Sequence, residues 1–242
     1  MNAETINNAL RDKLQEKCKV YPQNNLRCSS IGHPCWRYVY LSITNWEDKP
    51  APDVGLQGIF DLGNTLEEHV INHIKAAGFE VITPTAHSFR IDPQGITGRE
   101  DLRIKDPETG ELIPVEVKSI SPFEFDKLNC FEDFVNAKKP YIRAYAAQIQ
   151  LYMLKFGKEY AFFALINKLT GAIKFIRVEF DYDFCEIYSP KRTISMNASR
   201  TKHRPKPATR SDFVRIAICN IFADNANAPP LIWKSTGNSK NS

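Results

Sequence analysis

No apolar run in this 242-residue chain approaches the roughly 20 residues that a membrane-spanning helix requires, so no helical span is expected. The N-terminal stretch is polar and lacks the apolar centre of a secretory signal. The cysteines, Cys18, Cys28, Cys35, Cys130, Cys185 and Cys219, are scattered without a CxxC pair or a regular spacing. That excludes a disulfide framework and predicts reduced thiols in a cytoplasm. No internal repeat is present, which excludes a solenoid. The formal net charge is only +4, so the whole molecule is no polycation, and a nucleic-acid surface has to come from local clustering of Lys and Arg.

What the chain does have is length enough for one substantial α/β core with appendages. Its most informative stretch runs from Gly98 to Ser119. Two alternating runs flank Pro107-Glu108-Thr109-Gly110, and the Asp106-Pro107 step followed by Gly110 carries the turn chemistry of a hairpin. Pairing Asp106 with Glu111 places Ile104 opposite Ile113, Leu102 opposite Val115 and Asp101 opposite Glu116. Leu102, Ile104, Ile113, Val115 and Val117 then share an apolar face, while Asp101, Glu116 and Lys118 share the other.

Directly opposed side chains on a sheet stand about 4.5–5.5 Å apart at Cβ, and like charges there are destabilising. A divalent cation between Asp101 and Glu116 removes that cost. Magnesium, which takes one or two carboxylates and keeps several waters, suits such a pair better than zinc. Lys118, on the same face, is then placed to hold or polarise one of those waters. The same three residues also suit the solvated face of an ordinary hairpin, so the surrounding motifs decide between the two.

In chain order, the periodicities predict a polar amphipathic helix over 3–18, a packing arm with Ile6, Leu10, Leu14 and Cys18 along one side. Residues 28–41 read as an aromatic-rich helix opened by capping serines and burying Trp36, Tyr40 and Ile43. A loop over 46–57 leads to a helix over 59–77, where Leu62, Leu66, Val70, Ile74 and Ala77 form a stripe ended by Gly78, with Glu67 beside it. His69 and His73 stand one turn apart, but with no third ligand nearby they read as surface or packing residues. Short strands follow over 80–83 and 88–91. Residues 120–139 mix Phe123, Phe125, Phe131 and Phe134 with charges and are expected to cover the mouth of the site. A strong helix over 141–156 carries Tyr145, Gln148 and Tyr152 beside its core stripe. Residues 159–165 and 172–178 form a second hairpin, with a helix around Phe184.

Gly98-Arg99-Glu100-Asp101, a spacer of 14 residues and then Glu116-Val117-Lys118 resemble the core motif of the PD-(D/E)XK nuclease superfamily. Gly63-Asn64-Thr65-Leu66-Glu67 resembles the first motif of its RecB-like branch, a glycine followed four residues later by a metal-facing Glu or His. As a plain helix residue, Glu67 would simply face solvent. Gln148-x-x-x-Tyr152 is similar to that branch's Q-x-x-x-Y motif, and the segment 28–41 resembles the S-x-x-G-x-x-C-x-R element of phage and CRISPR-adaptation members. In the CRISPR-adaptation enzymes a cysteine at the place of Cys35 joins three C-terminal cysteines around an iron–sulfur cluster. Here only Cys185 and Cys219 lie in the C-terminal third, well separated, so no cluster is expected, and Cys35 is expected to be a buried structural residue.

The resemblance covers residues 28 to about 180. It implies a restriction-endonuclease-like α/β core over 55–188, with a mixed central sheet flanked by helices; an N-terminal helical element over 1–45 and a basic C-terminal extension over 189–242 complete the expected organisation. It implies a Mg²⁺- or Mn²⁺-dependent deoxyribonuclease. Asp101, Glu116, the carbonyl of Val117 and Glu67 would hold the metal, Lys118 would act beside it, and Gln148 and Tyr152 would position the substrate strand. The first expectation is a DNA-end-processing exonuclease of phage or mobile-element type, acting on single strands or DNA ends in the cytoplasm, a host's if phage-encoded. Recombination or replication proteins would be its partners. An endonuclease or flap nuclease, and a non-catalytic DNA-binding or assembly protein of the same fold, are the alternatives.

Beyond Pro190 apolar residues become sparse, while Lys191, Arg192, Arg200, Lys202, Arg204, Lys206 and Arg210 accumulate among prolines and serines. Such a strip suits phosphate tracking, which adds affinity without sequence readout. Its alternative is a disordered basic segment with no partner. Residues 211–222 are expected to form one more helix.

Overall fold

The computed structural model describes residues 2–83, 89–91 and 96–187, so the basic segment and the helix expected over 211–222 lie outside the described residues. The strands among them are β1 (Val81–Ile82), β2 (Phe89–Ile91), β3 (Ile96–Gly98), β4 (Leu102–Lys105), β5 (Leu112–Ile120), β6 (Tyr160–Asn167) and β7 (Ile173–Glu179). β1, β4, β5, β6 and β7 lie side by side in that order as a five-stranded sheet, and β2 pairs with β3 separately. The helices are α1 (Ala3–Lys17), α2 (Cys28–Ile31), α3 (Trp36–Thr44), α4 (Val54–Ala76), α5 (Pro122–Phe125), α6 (Phe131–Val135), α7 (Pro140–Phe156) and α8 (Tyr182–Ile187). Only β5 and β6 run parallel within the sheet, and the helical crossover α5–α7 that such a pairing requires separates them. This is the mixed α/β architecture expected from the sequence.

The central hairpin forms in the expected register, with Leu102 opposite Val115 and Ile104 opposite Ile113. Its turn closes as the residue types dictate. The Asp106 N–H donates to the Glu111 carbonyl at 2.8 Å, and Asp106 Oδ1 accepts from the N–H of Glu108 at 2.8 Å. Because strand side chains alternate, Leu102, Val115 and Val117 join Ala164 and Ile166 against Val70 and Ile74 of α4. Phe163 and Leu165 face the opposite side, where they meet Ile142, Ala146, Ile149 and Met153 of α7. Glu116 and Lys118 therefore emerge on the α7 side of the sheet.

Several expected elements are revised. The helix over 28–41 is two helices, broken at Gly32–Cys35, where Pro34 disfavours helix in the residue before it. Arg27, not a serine, is the N-cap of α2. In α3 Val39 is fully buried, whereas Ile43 is partly buried against the core and Tyr40 is half-buried; the side chain of Trp36 lies outside what the structure describes. α4 begins at Val54, inside the expected loop, because Asp53 caps it by accepting from the Leu56 N–H at 2.7 Å. Leu62 of the expected stripe is exposed. None of residues 120–139, expected over the mouth of the site, lines the cleft that holds Asp101 and Glu116. Phe134 is buried and stacks on Phe163 of β6, and Phe131 packs edge-on against Phe184, so these aromatics extend the core. No residue of α1 is buried, and this arm is tied to α4 through Lys17 and Asp61 at 2.7 Å.

Gly32 fixes how α2 meets the core. A Cβ there would stand 2.6 Å from Ala144 Cα and 2.9 Å from Ala147 Cβ on α7. Only a residue without a side chain permits that approach, and α7 is the helix that carries Gln148 and Tyr152. Gly32→Ala is expected to lower stability by about 1–3 kcal/mol, as overpacking does. Denaturant unfolding checks this: an unchanged midpoint would mean that the two helices separate freely.

Candidate active site

Glu67 of α4, Asp101 before β4, Glu116 and Lys118 of β5, and Gln148 and Tyr152 of α7 line one cleft of about 410 Å³. These residues are far apart in the chain, and the hairpin and the two flanking helices bring them together. Val117, whose carbonyl was expected among the metal ligands, sits between Glu116 and Lys118 with its side chain on the α4 face. Its N–H donates to Asp101 Oδ2 at 2.8 Å, which fixes the Asp101 carboxylate beside the strand.

Glu116 is 2% exposed. Its Oε1 accepts from Lys118 Nζ at 2.5 Å and from Gln148 Nε2 at 2.7 Å, while Oε2 is buried with no partner. Gln148 Nε2 also donates to the Tyr152 hydroxyl at 2.9 Å, and that hydroxyl donates to the Arg99 carbonyl at 2.5 Å. A continuous chain of hydrogen bonds, with Gln148 donating to both neighbours, thus links Glu116 through α7 to the backbone two residues before Asp101. Lys118 Nζ lies 4.6 Å from the centre of the Tyr145 ring, which holds the ammonium from its other side.

The electrostatics follow from this crowding. Burial, and then the charge of Asp101, push the Glu116 carboxyl up to about 8. Burial raises Asp101 against the opposing pull of Lys118 and the Val117 N–H, and burial together with Asp101 raises Glu67. Burial alone would lower Lys118, but the charges of Glu116 and Asp101 outweigh it and hold the ammonium proton.

The donor set fits a hard divalent cation. Three carboxylates face one cleft with their proton affinities raised, and one of their oxygens is buried without a partner, a costly state for an acceptor unless a cation or donor meets it. Among the described residues no three His, Cys, Asp or Glu side chains converge as a ready-made cage. Magnesium does not need one, because one or two carboxylates and several waters complete its shell. The His69 and His73 rings lie 4.1 Å apart, tilted by 45°, and His73 Nδ1 is engaged by the His69 carbonyl.

Cys35 is exposed, contrary to expectation. It occupies the turn before α3, where its N–H donates to His33 Nδ1 at 3.1 Å. The buried thiols are Cys18, Cys28 and Cys185. Cys28 lines the cleft, and burial followed by the charge of Glu116 pushes its thiol up to about 12, so it serves as a neutral wall. Cys219 lies outside the described residues.

Sequence reasoning missed Arg27, Ser29, Thr97 and Arg99, which also line the cleft. It also missed a brace beneath Asp101. Glu100, 6% exposed, receives Arg103 Nε at 3.0 and 3.1 Å and Nη2 at 2.5 Å, and the Arg103 guanidinium lies 4.4 Å from the Phe156 ring centre. Gly98 belongs to the same support, since a Cβ there would stand 2.2 Å from the Phe89 ring, which packs edge-on against Tyr152. The one available signal was the Glu100-x-x-Arg103 spacing.

No protein-family model matches the chain, and no curated protein does. Among solved structures, it is similar to an alkaline exonuclease, LHK-Exo from Laribacter hongkongensis, at a TM-score of 0.46 and 14% identity over 85% of this chain and 93% of that one. The complex of LHK-Exo with dAMP gives 0.45 and 14% over 88% and 97%. The crystal structure of SSO0001 gives 0.45 and 17% over 83% and 89%. The chemistry of the cleft has to be read from its own side chains.

Proposed function

We propose that the chain is a divalent-metal-dependent deoxyribonuclease that hydrolyses phosphodiester bonds, working at DNA ends as an exonuclease of phage or mobile-element type. The observation that carries this is the meeting of Asp101, Glu116 and Lys118 in one cleft, with a Glu116 oxygen buried and unpartnered. Asp101, Glu116, the Val117 carbonyl and Glu67 would hold Mg²⁺ or Mn²⁺, which when bound supplies Lewis acidity and a water of lowered pKa. Lys118 brings positive charge to where the phosphate gains negative charge, and it keeps Glu116 Oε1 fixed. Gln148 and Tyr152 order the site by tying Glu116 to the Asp101 loop as well as facing the substrate strand. A protein that only bound DNA would have no use for three carboxylates that repel phosphate. The free thiols of the described cysteines suit a reducing cytoplasm, and no helix among the described residues is long and apolar enough to cross a membrane.

End-labelled single-stranded, blunt, nicked and circular DNAs, incubated with Mg²⁺ or Mn²⁺, test the proposal. Linear DNA should be degraded and circular DNA spared. Cutting of the circle makes the protein an endonuclease, and no cleavage of any substrate favours the binding protein.

The basic strip between Lys191 and Arg210 would supply the remaining affinity. Each cation that neutralises a phosphate contributes a salt slope of about −0.7 on single strands. Neutralising Arg200, Lys202, Arg204 and Lys206 together is therefore expected to flatten the salt dependence of binding by up to about three units, similarly for all sequences, with little change in turnover at saturating DNA. A wild-type slope in the quadruple mutant would mean that the strip does not follow phosphates.

A further inference from the structure

Arg99 stands in the motif between Gly98 and Asp101, and its backbone and side chain have opposite circumstances. The Tyr152 hydroxyl anchors its carbonyl, so the main chain is fixed at the cleft wall. Its guanidinium is 58% exposed and lies 3.6 Å from Glu67 Oε1. At that distance the contact is an ion pair without a formed hydrogen bond, and it leaves the planar donors of the guanidinium largely unused. Both members of the pair line the cleft that holds Asp101, Glu116 and Lys118. Glu67 is also one of the carboxylates proposed to receive the cation.

We infer that Arg99 is a phosphate-binding residue that rests on Glu67 in the free protein and is released to the DNA phosphate when a divalent cation takes Glu67. The inference rests on the nuclease reading and adds a coupling to it. Metal and guanidinium compete for one carboxylate, and a guanidinium displaced from it needs another oxyanion. A phosphate at the metal offers two oxygens in the geometry that the arginine fork matches. Metal and DNA therefore each strengthen the binding of the other, by the same factor in both directions.

Calcium, used in place of magnesium to bind without turnover, and a short fluorescent single strand allow both affinities to be measured by calorimetry and anisotropy. Arg99→Ala should bind Ca²⁺ more tightly in the absence of DNA and bind DNA about tenfold more weakly in Ca²⁺, with little change in metal-free DNA affinity. Arg99→Lys, which keeps the charge but loses the fork, should lie nearer to Arg99→Ala than to wild type. Glu67→Gln should raise metal-free DNA affinity by freeing the arginine, and the double change Glu67→Gln with Arg99→Ala should lose that rise. Wild-type DNA affinity in Arg99→Ala, full activity of Arg99→Lys in binding, or persistence of the rise in the double mutant each overturns the inference. A wild-type protein that cuts DNA while Arg99→Ala binds normally sinks only the role of Arg99. A wild-type protein that neither cuts DNA nor binds Ca²⁺ sinks the nuclease reading and this inference together.

Discussion

Glu116→Gln is expected to lower cleavage by on the order of a thousandfold or more while making the metal-free protein more stable at alkaline pH. The first effect follows from losing a metal ligand, whose charge stabilisation in a phosphoryl-type transition state amounts to several kcal/mol. The second follows from burial. The Glu116 carboxyl has an ordinary value of 4.5 and is pushed up to about 8 in the fold, so between those values the folded chain binds a proton that the unfolded chain has released. Stability attributable to this group is highest below 4.5 and falls as pH rises through 8. Glutamine keeps an oxygen for Lys118 and carries no charge to desolvate. The gain of the variant over wild type should therefore grow from near zero at pH 5 to on the order of a few kcal/mol above pH 8. Thermal melts in chelator at a series of pH values measure it, and parallel profiles for the two proteins would show that Glu116 carries no such burden. Asp101→Ala should lose cleavage equally but gain less stability, because it also removes the acceptor of the Val117 N–H.

The parts of the site that were legible in the sequence are those set by short-range periodicity. The hairpin register follows from alternation around one turn, and a one-residue slip would have moved Leu102, Val115 and Val117 to the wrong face. Gln148 and Tyr152 share a helix face by their spacing, and that face meets Glu116. The failures have tertiary causes. Gly32 and Pro34 divide the expected helix over 28–41 where α7 approaches, and the contact that requires it lies more than a hundred residues away in Ala144. Cys35 was expected inside by the habit of its residue type, but the break between α2 and α3 turns it outward and leaves Cys28 in the core. Arg99 was visible only as a letter of the motif, since the pairing of its side chain depends on where α4 brings Glu67.

Lys118→Met is expected to lose most turnover and yet bind metal at least as well as wild type. The ammonium touches Glu116 Oε1 at 2.5 Å and lies 4.6 Å from the Tyr145 ring centre, so it is fixed against both strand and helix. In the metal-free protein it is the cation that balances Glu116 and Asp101, and removing it leaves Glu116 with Gln148 as its remaining hydrogen-bond partner. Two consequences separate from each other. A divalent cation loses a competitor and should bind no more weakly, whereas the phosphate loses a positive charge that meets it in the transition state. That loss is expected to lower single-turnover cleavage at saturating DNA and Mn²⁺ by about 10²–10³-fold, the range seen when one preorganised donor is removed. Metal binding, measured separately by calorimetry, should survive, and Mn²⁺ should restore the thermal stability that the metal-free variant lacks. Normal single-turnover rates would leave Lys118 without a part in the chemistry, and a variant that no longer bound Mn²⁺ would make it a support for the carboxylates instead.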